Sequence, residues 1–159
     1  MIITTISMYR KDKIDMDDVL LLENQICFKI YTAEREITRL YRGLLEEIGV
    51  TYPQYLALLV LWEKERITVK ELGKKLFLDS GTLTPMLKRM ESNGLLSRER
   101  SKEDERSVII SLTEKGASLK EKASCIPTRL LDSIDLEGGE LEQFNQTLTT
   151  ILSKLKDRE

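Results

Sequence analysis

A mainly helical chain carrying one small β-hairpin is the fold class this sequence predicts, and three observations predict it. Apolar residues recur at steps of three and four over long stretches at both ends of the chain. Two capping signatures stand close together in the middle, and a short β-branched stretch follows them. With only 8 Gly and 3 Pro in 159 residues, long helices are easy to build and loops must be few.

The first helix is expected from Asp18 to Ile48, with Leu22, Ile26, Ile30, Ala33, Ile37, Leu40, Leu44 and Ile48 on one stripe and Gly49 as its stop. Thr51-Tyr52-Pro53-Gln54 reads as a capping box with proline in the tolerant first turn. The helix it opens, Tyr55 to about Glu63, is apolar almost all round and should be buried. A second box, Thr68-Val69-Lys70-Glu71, starts a short helix to about Phe77. Asp79 or Ser80 then caps another that ends at Asn93-Gly94. Two short helices joined by a tight turn describe a helix-turn-helix.

Leu95–Arg100 and Ser107–Leu112 change period and read as strands joined by a charged tip. A helix-turn-helix followed by such a hairpin, the wing, is a winged helix. Thr113 caps a helix reaching Pro127 or beyond, and after Gly138-Gly139 a last amphipathic helix runs through Leu141, Phe144, Leu148 and Leu155. The predicted organisation is a flexible extension over residues 1–17, a first helix over 18–50, a DNA-reading region over 51–112 and C-terminal helices over 113–159. The outer helices carry apolar stripes that about 60 winged-helix residues cover only in part. A second copy of the chain is the simplest cover, making the outer helices dimerisation helices; an intramolecular helix pair is the alternative.

Composition excludes several classes. Hydrophobic residues at 41% and charged ones at 33% suit a globular protein. No apolar run approaches the roughly 18 residues of a membrane span, and the N-terminal apolar residues precede the basic ones, the reverse of a secretory signal. Two cysteines without CxxC spacing, and no histidine, leave a zinc site without its usual ligands and a secreted disulfide framework without its density. No metal or cofactor is expected, and the cytoplasm is the expected compartment. A net charge of −2 speaks against a generally adhesive basic protein, but a basic reading face can sit on an acidic body.

For the second helix of the pair, the residues at its N-terminus meet base edges in the major groove. Here these are Ser80, Gly81, Thr82 and Thr84: small, hydroxyl-bearing, with threonine methyls available to thymine. Lys88 and Arg89 follow one to two turns later and reach phosphates. The same Asp-Ser-Gly-Thr string is also a good helix cap, and the two roles are compatible. In the hairpin, Arg98, Arg100, Lys102 and Arg106 crowd beside Glu103, Asp104 and Glu105, which fits either a nucleic-acid contact or a solvated loop.

Cys27 lies among Ile26, Phe28 and Ile30. Such a cysteine can be an inert small hydrophobe or a reactive thiol. Reactivity requires a stabilised thiolate, and without histidine the available donors are tyrosine hydroxyls, with Tyr31, Tyr41 and Tyr52 as candidates.

The strings LENQICFKIY, GVTYPQYLALLVLWE, LDSGTLTPMLKRMESNGLL and RSKEDERSVIISLTEKG resemble the MarR family, and more narrowly its organic hydroperoxide resistance repressors, over about Leu22 to Pro127. The resemblance implies a homodimeric repressor on an inverted-repeat DNA operator. It implies that Arg106 enters the minor groove, oriented by Asp104, and that Tyr41 and Tyr52 hydrogen-bond the Cys27 sulfur. Cys27 and Tyr41 are fourteen positions apart, about 21 Å of helical rise. In one straight helix they cannot meet, so that contact would come from the partner chain.

Phe28, Tyr31 and nearby leucines would favour an organic hydroperoxide over hydrogen peroxide. Relatives with two cysteines place the second nearer Asp132, seven positions beyond Cys125. This chain is therefore read as a one-cysteine sensor trapped by a low-molecular-weight thiol. Three other readings stand beside it: a regulator answering a small aromatic ligand with Cys27 as packing, a thiol peroxidase turning over at Cys27, and a winged helix used only for protein contacts. The thiol peroxidase would leave the winged helix unexplained and lacks the arginine and threonine of a peroxidatic site.

Overall fold

The computed structural model describes residues 16–104, 106–135 and 138–156. The expected extension over residues 1–17 lies, but for its last two positions, outside the described residues. The chain forms two compact units that divide at Gly43 and Leu44.

The first unit corrects one expectation. Instead of one helix from Asp18, a short helix α1 (Met16–Val19) and a 3-10 turn (Leu22–Asn24) precede α2 (Ile26–Glu46). The cause is local. The Asn24 amide donates to the Asp18 carbonyl at 2.8 Å, and the Gln25 amide donates to the carbonyls of Val19 and Leu21. Side chains that satisfy backbone carbonyls outside a helix compete with helix continuation. Leu22 thus stands in the turn rather than on the helical stripe; α2 stops at Glu46, two residues before the expected Ile48, and Gly49 at φ +69° closes the turn that follows it.

In the second unit, α3 (Tyr52–Lys64) opens with the Thr51 N–H donating to Gln54 Oε1 at 2.9 Å. Tyr55, Ala57, Leu58 and Leu61 are fully inside, but Leu59 stays 42% exposed, so this helix is less completely buried than its composition suggests. A strand absent from the sequence reading, β1 (Arg66–Thr68), leads into α4 (Val69–Leu76). Then come α5 (Ser80–Ser92), β2 (Leu96–Arg100) and β3 (Val108–Leu112). The three strands make one antiparallel sheet in the order β1-β3-β2, with Ile67 opposite Ile110 and Leu96 opposite Leu112.

Leu72, Leu83, Leu87, Met90, Leu96 and Ile110 close the core beneath this sheet. Gly94, at φ +71°, turns the chain from α5 into β2 in a conformation where only glycine is unstrained. The helix expected from Thr113 through Pro127 is two helices, α6 (Glu114–Ala123) and α7 (Ile126–Ile134). Pro127 sits in the first turn of α7, where a missing N–H costs nothing, whereas it would have broken a continuing α6. The last helix, α8 (Gly138–Lys156), starts at the glycine pair. Trp62 ties α3 to α6, its Nε1–H donating to the Gly116 carbonyl at 3.0 Å while Tyr55 meets its ring edge-on at 6.2 Å.

Candidate functional site

Asp79 sets the start of α5. Its Oδ1 accepts the Thr82 N–H and its Oδ2 the Thr82 hydroxyl, both at 3.0 Å, and these bonds hold its carboxyl below the usual aspartate range. The choice left open between Asp79 and Ser80 is thus resolved, with Ser80 as the first helical residue. Ser80, Gly81 and Thr82 are exposed on this first turn, and Thr84 is half-buried. A Cβ on Gly81 would stand 2.9 Å from the capping Asp79 oxygen, so the bare glycine also leaves room for the cap. Leu83, Leu87 and Met90 anchor the opposite face, which leaves Lys88 and Arg89 in solvent.

The wing tip is ordered by two serines that the sequence reading passed over. Ser101 Oγ accepts the N–H groups of Glu103 and Asp104 at 3.2 and 3.3 Å. Asp104 in turn accepts the Ser107 hydroxyl at 2.7 Å and the Arg106 N–H at 3.1 Å, which lowers its pKa. Asp104 therefore places Arg106 through the backbone, with the Arg106 side chain exposed. Ser at both roots of the tip is a readable turn signal.

Arg98 and Arg100 differ sharply. Arg100 and Lys102 are exposed. The Arg98 side chain is only 22% exposed, and its Nε and Nη2 donate to Glu91 Oε2 at 2.9 and 2.7 Å. Glu91 Oε1 also accepts the Arg98 N–H at 3.1 Å, and the guanidinium holds the Glu91 carboxyl below its ordinary range. On β2's other side Arg66 of β1 pairs with Glu99 at 2.7 Å. Between α4, α5 and the wing runs an open groove of about 930 Å³, with Lys70, Lys74, Thr84, Arg98 and Arg106 among its lining. Cations thus line a channel beside the exposed first turn of α5, the layout that suits a polyanion next to a base-reading helix.

Cys27 belongs to the first unit and Cys125 to the second. Cys27 is exposed in the first turn of α2, so within one chain it does not pack as a core residue. Tyr31, one turn on, is 57% exposed with the Arg35 guanidinium 5.6 Å from its ring centre. Tyr41 is half-buried farther along the same helix, and Tyr52 is half-buried at the start of α3 in the second unit. Cys125 is exposed at the N-cap of α7, its thiol toward the Lys122 carbonyl at 3.7 Å. Asp132 lies within α7. Among the described residues no group of acidic or cysteine side chains could hold a metal ion, and no helix is long and apolar enough to cross a membrane.

A capped, exposed helix start beside a cation-lined groove and a three-stranded wing defines a winged-helix DNA-binding transcription regulator. Comparison with known proteins gives the family. Residues 39–123 match the family model described as "Transcriptional regulator SarA/Rot". The chain is 56% identical over 141 residues to the organic hydroperoxide resistance transcriptional regulator of Bacillus subtilis (strain 168), covering 89% of this chain and 96% of that one.

Among solved structures, reduced AbfR bound to DNA is 37% identical and aligns over 87% of this chain and 97% of its own, with a TM-score of 0.72. A mutant MarR of E. coli complexed with operator DNA is 26% identical over 87% of this chain and 99% of its own, with a TM-score of 0.75. The chain belongs to the MarR family of winged-helix regulators, in the branch of the organic hydroperoxide resistance regulators. Its relatives are transcription regulators rather than enzymes, which disposes of the peroxidase reading.

Proposed function

We propose that this chain is a homodimeric repressor that holds an inverted-repeat operator and lets go when an organic hydroperoxide oxidises Cys27. The observation that carries the reading is an exposed cysteine on a helix whose apolar stripe one chain leaves open, in a protein 56% identical to a regulator of organic hydroperoxide resistance. Ile26, Phe28 and Ile30 around Cys27 are 55, 39 and 43% exposed, an apolar surface suited both to a partner chain and to an organic peroxide. The Cys27 thiolate attacks the terminal peroxide oxygen, the O–O bond breaks, an alcohol leaves and the sulfur becomes a sulfenic acid. A low-molecular-weight thiol then condenses with it, releasing water. Tyr31, Tyr41 and Tyr52 are the hydroxyl donors assigned to the sulfur, Tyr41 acting from the partner chain.

On DNA, Ser80, Gly81, Thr82 and Thr84 read base edges, Lys88, Arg89, Arg100 and Lys102 meet phosphates, and Arg106 enters the minor groove with its backbone fixed by Asp104. Arg98, expected at the DNA, is assigned instead to holding the wing, because Glu91 already occupies its guanidinium. Residues 51–112 form the DNA-reading region and the outer helices the dimer, with operator half-sites about one helical turn apart.

The test is operator binding by wild type and Cys27→Ser, with and without cumene hydroperoxide. Wild type should release on oxidation while the serine variant stays bound. Equal indifference of both to peroxide would make Cys27 packing and redirect the search to a small ligand in place of a peroxide.

A further inference from the structure

The Glu91–Arg98 pair joins the two elements that have to meet DNA at the same time. Glu91 lies in the last turn of the recognition helix α5, and Arg98 is the central residue of strand β2 in the wing. The six residues between them contain the turn at Gly94, so the pair spans the corner from which the wing leaves the helix. Three hydrogen bonds of 2.7–3.1 Å, one of them from the Arg98 backbone, fix both the side chain and the strand's path. A single bond would permit rotation about its own axis; two from the guanidinium and one from the backbone do not. Next along the strand, Glu99 is held by Arg66, so β2 is tied to α5 by Arg98 and to β1 by Glu99. Beyond Arg100, Ser101 and Asp104 make further bonds within the tip, to the N–H groups of Glu103 and Asp104 and to the Ser107 hydroxyl.

We propose that Glu91 and Arg98 are positioning residues that fix the angle between the recognition helix and the wing, so that Thr82 and Arg106 engage neighbouring grooves together. The inference rests on the proposed contact of Arg106 with DNA. Loosening the corner leaves both reading elements intact but lets the wing swing, so the second contact must be ordered anew on binding. The loss should then appear only where a wing contact exists to be lost.

That condition supplies the test, a double-mutant cycle on operator affinity between Glu91→Gln and Arg106→Ala in the full-length protein. Glu91→Gln keeps shape and an acceptor oxygen but removes the charge; Arg98→Lys, which loses the fork geometry, serves as the second variant. Thermal melts establish that each variant is folded. Each single change should weaken operator binding by roughly tenfold, and Glu91→Gln should weaken it by less than about twofold once Arg106 is alanine. Arg98→Lys should follow the same pattern. Additive losses, with Glu91→Gln costing as much in the Arg106→Ala background as in wild type, would overturn the positioning role while leaving the Arg106 contact intact. An Arg106→Ala protein that binds as wild type does would overturn the contact itself and this inference with it.

Discussion

Gly116 offers the most stringent check on the packing of the DNA-binding unit. It is the third residue of α6, where a Cβ would lie 1.9 Å from the Leu95 carbonyl oxygen and 3.0 Å from Leu112 Cδ2. The obstructing atom is backbone and cannot swing aside, so α6 must move by more than an ångström from the corner between α5 and β2. That corner is stitched by the Thr113 N–H to the Leu95 carbonyl at 3.2 Å and the Thr113 hydroxyl to the Gly94 carbonyl at 2.6 Å. Overpacking of this kind costs about 1–3 kcal/mol, and each of two strained hydrogen bonds adds about 1 kcal/mol, so Gly116→Ala should destabilise by roughly 3–5 kcal/mol. For a chain of this length that is a drop in Tm of about 6–20 °C.

Calorimetry at fixed protein concentration measures it. Gly139→Ala, whose Cβ meets nothing within 4 Å, is the control and should be neutral or slightly stabilising. Because Trp62 donates to the Gly116 carbonyl, its fluorescence should shift in the first variant and not in the control. A Gly116→Ala protein melting within about 3 °C of wild type, with unchanged Trp62 emission, would refute the packing argument.

Two further outcomes follow from the carboxylates. Asp79→Ala should lower Tm by a few degrees, about what loss of a helix cap costs, and weaken operator binding, whereas Asp79→Asn should keep most of both; calorimetry and fluorescence anisotropy read the two effects. Asp79, Asp104, Glu71 and Glu91 all have carboxyls held below their ordinary values of 3.8 and 4.5 by hydrogen bonds or a guanidinium. Depressed values mean that their stabilisation is present above the unfolded pKa and lost as pH falls through the folded one. With no histidine in the chain, urea midpoints should be flat from about pH 5.5 to 7.5 and fall only below about pH 4.5; a step near pH 6.5 would contradict this.

What the sequence made legible follows how local each cause is. The starts of α4, α5 and α6 were readable because Thr68, Asp79 and Thr113 bond N–H groups three residues on, so spacing alone carries the signal. Strand β1 was not readable: three residues show no period, and Ile67 becomes a strand residue because β3 offers it Ile110 across the sheet. The break before α2 was hidden by Leu22, whose spacing fits the helical stripe, although Asn24 and Gln25 were the available warning. Among the site residues, composition grouped Arg98 with Arg100, Lys102 and Arg106. Strand alternation puts Arg98 and Arg100 on the same face as the buried Leu96, so it does not separate them; what does is Glu91, which takes the Arg98 guanidinium while Arg100 stays exposed. Tyr41 and Tyr52 stayed tied to Cys27 by resemblance alone, whereas Tyr31, one turn from Cys27 on α2, was a candidate because the chain has no histidine to act as donor.

The proposed dependence of Cys27 on a partner chain is itself testable. Ile26, Phe28 and Ile30 on α2, and Phe144, Leu152 and Leu155 on α8 (47, 55 and 55% exposed), leave each unit with an apolar face that a two-fold partner would cover. In the proposed dimer, Cys27 would pass from solvent into a site completed by Tyr41 of the partner subunit, so the reactivity of its thiol would belong to the assembly and not to the helix. A cysteine in water reacts with peroxide as an ordinary thiol does; one supplied with hydroxyl donors in an apolar lining holds more of its thiolate and gathers an organic substrate. The rate of Cys27 sulfenylation by cumene hydroperoxide, followed by mass spectrometry, should therefore fall by tenfold or more when the dimer is split by Leu152→Asp with Leu155→Asp, while the rate with hydrogen peroxide falls less. These substitutions lie far along the sequence from the thiol and its proposed donors, so a rate unchanged in a monomer shown by sedimentation would mean that α2 alone sets the chemistry of Cys27.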